Sequence, residues 1–425
     1  MSRLIIRGRK RLSGTFTPRG NKNAALPMIA ACLLTDETVT LRNVPLIQDV
    51  SVMLELLAGL GVSVRRNDRE VSLCAKGIKR RELDRELCKR VRASILIAGP
   101  LAARHGRAVF PPPGGDVIGR RRLDTHFYGL QKLGIEVQGG AHYSLRRRTL
   151  LGADLLLDEA SVTATENILM AATLATGETT IFNAACEPHV QNLGALLQKM
   201  GAQIDGLGTN LLRVRGVENL SGAVHEIEPD YIEIGSFLAA AAATGGSISI
   251  AGAAALPSLR VIGRHFGRLG INPSRAGENL NFESQRTPKI SKDIGNAIPK
   301  IEDGAWPAFP SDLMSVAIVL ATQASGSVLF FEKMFESRMY FVDRLIEMGA
   351  RIVQCDPHRV VVQGPSKLHG IHMSSPDIRA GMSMLIAALC ARGESVIESA
   401  QVIDRGYECV EERLRALGAD IVRTE

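Results

Sequence analysis

Leu60-Gly61-Val62, Leu133-Gly134-Ile135, Met200-Gly201-Ala202, Leu269-Gly270-Ile271, Met348-Gly349-Ala350 and Leu417-Gly418-Ala419 are six versions of one tripeptide. Their glycines stand 73, 67, 69, 79 and 69 residues apart. A glycine just past an apolar-periodic stretch marks a helix end, and the alternating run after each copy predicts a strand. Earlier in the segments an Ala-rich helix, a glycine turn and a strand recur. Examples are Ser94–Arg104 before Gly106, Asn167–Thr176 before Gly177, Leu313–Ser325 before Gly326 and Met382–Arg392 before Gly393. The chain therefore reads as six copies of one small α/β unit.

A unit of roughly 70 residues with two helices and about four strands cannot bury both faces of its sheet alone. Grouping copies around a shared helical core solves the problem, and two groups of three suit a chain of 425 residues. A second motif, Gly-x-x-x-Leu-x-Gly, recurs at Gly8–Gly14, Gly216–Gly222 and Gly364–Gly370. Its first copy precedes the first full helix, so the N-terminal strand belongs to a unit completed elsewhere. The chain is expected to start in one domain, build the other, and return.

Composition narrows the function. With 45% hydrophobic and 22% charged residues the chain is ordinary for a folded soluble protein. Only 4% are aromatic, so Ala, Leu, Ile and Val must pack the cores. Leu4-Ile5-Ile6 is too short for a secretory signal, and Phe237–Pro257, broken at Gly245-Gly246, reads as helix, turn and strand rather than a membrane span. Seven cysteines without a CxxC pair point to reduced thiols and a cytoplasmic protein. The net charge of +7 suits nucleic acid, acidic lipid or acidic small molecules. Stacking aromatics are scarce and no nucleic-acid signature accompanies the arginine triplets, which disfavours nucleic acid. His369 and His372 lack a third ligand, and Gly206-Leu207-Gly208 sits between two apparent strands as a hairpin turn. Neither a metal nor a cofactor is expected.

Three stretches carry chemistry. Residues 111–124, PPPGGDVIGRRRLD, join a stiff entry and a Gly114-Gly115 pivot to an acid, Asp116, followed by three arginines. Such a loop suits a lid over a phosphorylated ligand. Residues 20–27, GNKNAALP, place Lys22 and Asn23 where an Ala-rich helix begins, with Pro27 still near the first turn; a lysine there favours an anion site. In the C-terminal half Asp312, Glu336, Arg338, Asp377, Arg379 and Arg405 each lie between a strand and a helix start, so equivalent ends of repeated units bring them to one face.

GNKNAALP, VRASILIAGPLAARHG, PPPGGDVIGRR, AFPSD, FESR, PDIRA and IDRGYECVEERLRALGA, in this order, resemble the UDP-N-acetylglucosamine 1-carboxyvinyltransferase family over essentially the whole length. The resemblance implies two inside-out α/β domains of three repeated βαβαββ-type units each, one at 22–229 with the mobile loop 111–122, the other at 1–21 plus 230–425, with substrates in the cleft between. It implies transfer of the enolpyruvyl group of phosphoenolpyruvate to the sugar 3-hydroxyl, with release of phosphate. Carried over by motif, Lys22, Arg121 and Arg405 would grip phosphoenolpyruvate. Asn23, Arg92, Asp124, Thr125, Ser161, Val162, Thr163 and Met334 would line the UDP-sugar site. Asp312 would be the base for the hydroxyl, Asp116 the proton donor, and Arg338, Asp377 and Arg379 further polar groups of the second domain.

Four positions depart from the usual family pattern. Asp116 stands where most relatives have cysteine, the assigned proton donor and the residue that the epoxide fosfomycin alkylates. A carboxyl can also donate a proton; nearby phosphate charge favours its protonated form and Arg121 opposes it. A carboxylate is a far poorer nucleophile than a thiolate, so fosfomycin is expected not to form an adduct. Gln48 replaces a lysine, Arg122 a proline, and Thr163 a glycine. Two other readings are a 5-enolpyruvylshikimate-3-phosphate synthase-type transferase, opposed by GNKN and the Asp116 loop, and a non-catalytic UDP-sugar-binding relative. The second has no need of the hydroxyl base, Asp312.

Overall fold

The computed structural model describes residues 2–116, 118–284 and 287–425. They divide into two units. The middle unit comprises Gly20–Asp116 and Arg121–Glu228; the terminal unit comprises Met1–Arg19, Val117–Arg120 and Pro229–Glu425.

The sixfold repeat is borne out strand by strand. Among the described residues there are five four-stranded sheets and one three-stranded sheet. Five share a single pattern, in which one parallel pair is followed by two antiparallel pairs. In the middle unit Ala223–Glu226 runs parallel to Val39–Arg42, which pairs antiparallel with Glu70–Cys74, and that strand with Ser63–Asn67. Asp154–Leu156 and Glu178–Phe182 begin a second such sheet. The three-stranded sheet keeps the scheme, with its parallel partner reduced to the bridge between Glu82 and Val109. The six tripeptide glycines all take positive φ (105°, 90°, 105°, 86°, 97° and 98°), which only glycine adopts without strain, and strands follow them.

In each unit three Ala-rich helices form the core. In the terminal unit they are Tyr231–Ala243, Met314–Gln323 and Ile378–Cys390, and they pack on one another. Every residue from Tyr231 to Ala242 is buried, so these helices have no polar face and owe their stability to enclosure by the sheets. In the middle unit Lys22–Ala31, Ala98–His105 and Val162–Ala172 play the same part. Close approach depends on small residues there. A Cβ on Gly99 would lie 2.1 Å from Asn167 Oδ1, the atom that accepts the Gly99 N–H at 2.8 Å. Pro27 is the sixth residue of its helix, deeper than the first turn expected for it, and the helix continues through it to Ala31. The loss is one N–H, tolerable because the helix is held by burial on all sides.

The N-terminal strands are shared as expected. Arg3–Arg7 lies between Glu394–Glu398 and Asp420–Thr424, and Ser13–Phe16 pairs with Ser247–Ile250. The Gly-x-x-x-Leu-x-Gly motif is the step from one sheet to the next. Its first glycine passes over a backbone carbonyl after a core helix: a Cβ on Gly8, Gly216 or Gly364 would sit 2.2, 1.6 or 2.1 Å from the oxygen of Ala391, Ala175 or Ala324. Its leucine (Leu12, Leu220, Leu368) is buried and anchors the step. The expected Phe237–Pro257 break and the Gly206–Gly208 hairpin are both present. No helix among the described residues is long and apolar enough to cross a membrane.

Candidate active site

In the terminal unit the repeated strand-to-helix junctions bring four of the sequence-derived residues together. Asp312 lies in the turn Ser311–Leu313 that opens a core helix, and Asp377 caps the helix Ile378–Cys390, accepting from Arg379 N at 2.8 Å and Ala380 N at 3.0 Å. Asp312 is clamped on both oxygens: Arg338 Nη2 donates to Oδ1 at 2.9 Å and Arg379 Nη2 to Oδ2 at 2.7 Å. Arg338 Nη1 also lies 4.0 Å from Asp377 Oδ1. The two guanidiniums are buried, at 5% and 6% side-chain exposure, while Asp312 retains 25%. The carboxylate is thus the part of the cluster that reaches outward. Burial opposes the charge on Arg379, but Asp312, Tyr407 and Asp230 outweigh it and hold the guanidinium more firmly protonated than usual. Its plane sits 5.5 Å from the Tyr407 ring centroid, and the Tyr407 hydroxyl bonds Ser236 at 2.8 Å.

Arg405 ends a separate turn, Ala400–Arg405, that is staked from outside. Arg423 Nη1 and Nη2 donate to both oxygens of neighbouring Asp404 at 2.9 and 2.7 Å, and Arg423 grips Glu411 at 2.7 and 2.8 Å. Met334 is 40% exposed in the turn after the strand Gly326–Phe331.

In the middle unit Lys22 is the first residue of its helix, and Asn21 Oδ1 caps that helix by accepting from Ala24 N at 3.0 Å; Asn23 follows in the first turn. Lys22 Nζ lies 2.8 Å from Asp49 Oδ2, with both side chains buried. Asp49 was not legible as a partner of Lys22, because nothing in linear spacing connects the first turn of Gln48–Leu60 to Lys22. Around the loop, Arg92 Nη2 donates to Arg121 O at 2.6 Å, and burial together with Arg121 pushes the Arg92 pKa down to about 10. Gly114 and Gly115 are needed where the loop passes these groups, since a Cβ would stand 1.8 Å from Lys89 O or 2.8 Å from Arg92 Cβ. Asp116 is half-buried at the end of that stretch, and Val117 lies outside the described residues. Arg122 forms an ion pair with Asp124, and Thr125 Oγ1 donates to Asp158 Oδ1 at 2.7 Å.

Ser161 is the N-cap of Val162–Ala172, so Val162 and Thr163 open a core helix. Thr163 Oγ1 lies 3.1 Å from His126 Nε2, and Asn167 Nδ2 is 3.1 Å from His126 Nδ1. An amide nitrogen can only donate, so Nδ1 accepts and Nε2 carries the proton toward Thr163. Burial and Arg92 push the His126 pKa down to about 3, which agrees with a neutral ring. The Thr163 hydroxyl is thereby tied to the protein. His126, Asn167 and Asp158 were missed from sequence for the same reason as Asp49. Among the described residues no group of His, Cys, Asp or Glu could hold a metal ion.

A family model described as EPSP synthase (3-phosphoshikimate 1-carboxyvinyltransferase) matches residues 6–414. The UDP-N-acetylglucosamine 1-carboxyvinyltransferase of Bradyrhizobium diazoefficiens is 54% identical over 99% of this chain and 97% of its own length. That of Treponema denticola is 52% identical over 99% of both. The chain belongs to the UDP-N-acetylglucosamine 1-carboxyvinyltransferase family. It is an enzyme of the enolpyruvyl transferase group, as the motif resemblance implied. The crystal structure of the enolpyruvyl transferase NikO from Streptomyces tendae superposes with a TM-score of 0.87 over 100% of this chain and 99% of that one, at 22% identity. EPSP synthase from Acinetobacter baumannii does so at 0.76 and 19% identity, with full coverage of both chains. These two likenesses concern the fold, and they agree with six α/β units in two groups of three.

Proposed function

We propose that this protein transfers the enolpyruvyl group of phosphoenolpyruvate to the 3-hydroxyl of UDP-N-acetylglucosamine and releases phosphate, the first committed step of peptidoglycan precursor synthesis in the cytoplasm. Whole-length identity to relatives of that name carries the reading; the clamped Asp312 supports it chemically.

The hydroxyl oxygen must attack C2 of phosphoenolpyruvate while C3 gains a proton, giving a tetrahedral ketal. Loss of a proton from C3 and of phosphate from C2 then regenerates the enol double bond. Asp312 takes the hydroxyl proton. Two guanidiniums on its oxygens favour the ionised form that a base needs and fix its direction, and the same attraction weakens its pull on the proton. Asp116 delivers the proton to C3 from the loop at 111–122. Lys22, Arg121 and Arg405 hold the trianionic phosphoenolpyruvate, with Asp49 fixing the Lys22 ammonium and Arg423 fixing the turn that ends in Arg405. Arg92, Asn23, Asp124, Thr125, Ser161, Val162, Thr163 and Met334 bind the UDP-sugar. Asp377 completes the charge balance around Arg338.

The deciding experiment mixes purified protein with phosphoenolpyruvate and either UDP-N-acetylglucosamine or shikimate 3-phosphate, and follows phosphate. Release with the UDP-sugar alone is expected. Release with shikimate 3-phosphate alone would transfer the protein to the other acceptor, and silence with both would favour a binding protein.

A further inference from the structure

Two buried acids lie behind the Asp312 cluster, outside the machinery described so far. Lys300–Glu302 and Gly326–Phe331 are parallel neighbours with Glu302 beside Phe331, so the next residues, Asp303 and Glu332, emerge side by side. Both are fully buried. Asp303 Oδ1 accepts from Lys333 N at 2.5 Å. Glu332 Oε1 accepts from Phe335 N at 3.2 Å, and Ser311 Oγ lies 3.0 Å from each Glu332 oxygen. The acids thereby tie down two segments at once. One is Ser311, whose neighbour is Asp312; the other is the turn 333–338, which ends in Arg338.

The arrangement leaves one atom unexplained. Asp303 Oδ2 is buried and receives no hydrogen bond from an N–H or hydroxyl among the described residues. Two ionised carboxylates cannot share a dry site, and a protonated acid facing Asp303 supplies the missing donor. The charged groups around Glu332 are Asp303 and Arg338, with Ser311 as a neutral partner; His358 Nδ1 meets only its backbone oxygen, at 2.8 Å. Burial first, and then Asp303, push the Glu332 pKa up to about 9, against the pull of Arg338.

We propose that Glu332 is a positioning residue for the transferase reaction, holding Asp312 and Arg338 in register through a proton that it donates to Asp303. This rests on the reading of Asp312 as the base. The neutral acid donates to Asp303 while its oxygens accept from Ser311 and Phe335, so all three partners are satisfied together only in the protonated state. Ionisation would set two negative charges against each other and loosen both segments.

The test uses the full-length Glu332→Gln, Glu332→Ala and Asp303→Asn proteins, with kcat and KM from phosphate release between about pH 6 and pH 10. A carboxamide reproduces the neutral acid, so Glu332→Gln should keep kcat near neutral pH within about threefold, whereas Glu332→Ala should lose roughly 10–100-fold in kcat through misplacement of the base. Wild-type kcat should fall on the alkaline side as Glu332 ionises, near pH 9. That limb should vanish in Glu332→Gln, and also in Asp303→Asn, whose amide donates to an ionised Glu332. An active wild type whose alkaline limb survives in both amide variants overturns the proposal, as does a Glu332→Gln enzyme as impaired as Glu332→Ala. A wild type silent with both acceptors overturns the functional reading instead. Thermal unfolding then tests the shared proton alone: Glu332→Gln should gain stability over wild type as pH rises, and a constant difference would refute the proton.

Discussion

Replacing Asp312 with Asn separates the chemical from the structural role of the clamp. The side chain keeps its shape, but one oxygen becomes an NH2 group. One guanidinium, at 2.7 or 2.9 Å in the native cluster, then faces a donor instead of an acceptor. That guanidinium is about 95% buried and cannot turn to water. Losing a hydrogen bond between charged groups costs about 1.5–3 kcal/mol, and breaking a fully buried pair about 3–5. Asp312 is a quarter exposed, which favours the lower range, so we expect a loss of about 2–3 kcal/mol. At about 2–4 °C per kcal/mol for a unit of this size, calorimetry should record a fall of roughly 4–12 °C. Activity should drop far more, by about 10²–10⁴ in kcat, because an amide cannot take the hydroxyl proton. Phosphate release within about threefold of wild type would refute the base assignment. An inactive variant with an unchanged unfolding temperature would instead refute the argument that the clamp binds the cluster together.

Lys22→Ala should lose stability as well as activity, because Asp49 is left buried without its ammonium; the expected cost is about 3–5 kcal/mol, and Lys22→Ala/Asp49→Ala should recover much of the unfolding temperature without recovering phosphate release. The wild-type enzyme should show no covalent fosfomycin adduct by mass spectrometry, whereas Asp116→Cys should gain one on the loop; an adduct on wild-type Asp116 would contradict the reasoning. Glu166 is buried, with Oε1 unpaired among the described residues, and burial followed by Glu187 raises its pKa well above 4.5. A raised folded-state pKa means that the neutral form's contribution is full below about pH 4.5 and declines as pH rises, by up to about 1.4 kcal/mol per pH unit. Glu166→Gln should therefore become more stable relative to wild type from pH 5 to pH 8, and parallel stability curves would show that Glu166 is ionised.

Much of this protein was legible in its sequence, and the reason is local. A glycine at positive φ after an amphipathic helix is demanded by backbone sterics alone, so Gly61, Gly134, Gly201, Gly270, Gly349 and Gly418 announce six units without reference to neighbours. The same holds for Gly8, Gly216 and Gly364, where a repeated close approach excludes any side chain. Motif order singled out Lys22, Arg92, Asp312, Arg338, Asp377 and Arg379, and recurrence at strand-to-helix junctions gave a physical ground for the meeting of Asp312, Arg338, Asp377 and Arg379 within the terminal unit. What tertiary structure decided is who neutralises whom. Asp49 reaches Lys22 from another helix, Arg423 stakes the Arg405 turn from the last strand, and His126 ties Thr163 from a segment 37 residues away. Asp303 and Glu332 become neighbours only because two parallel strands end together. Partners in a buried charge network are selected by distance and desolvation, and neither quantity is written in linear spacing.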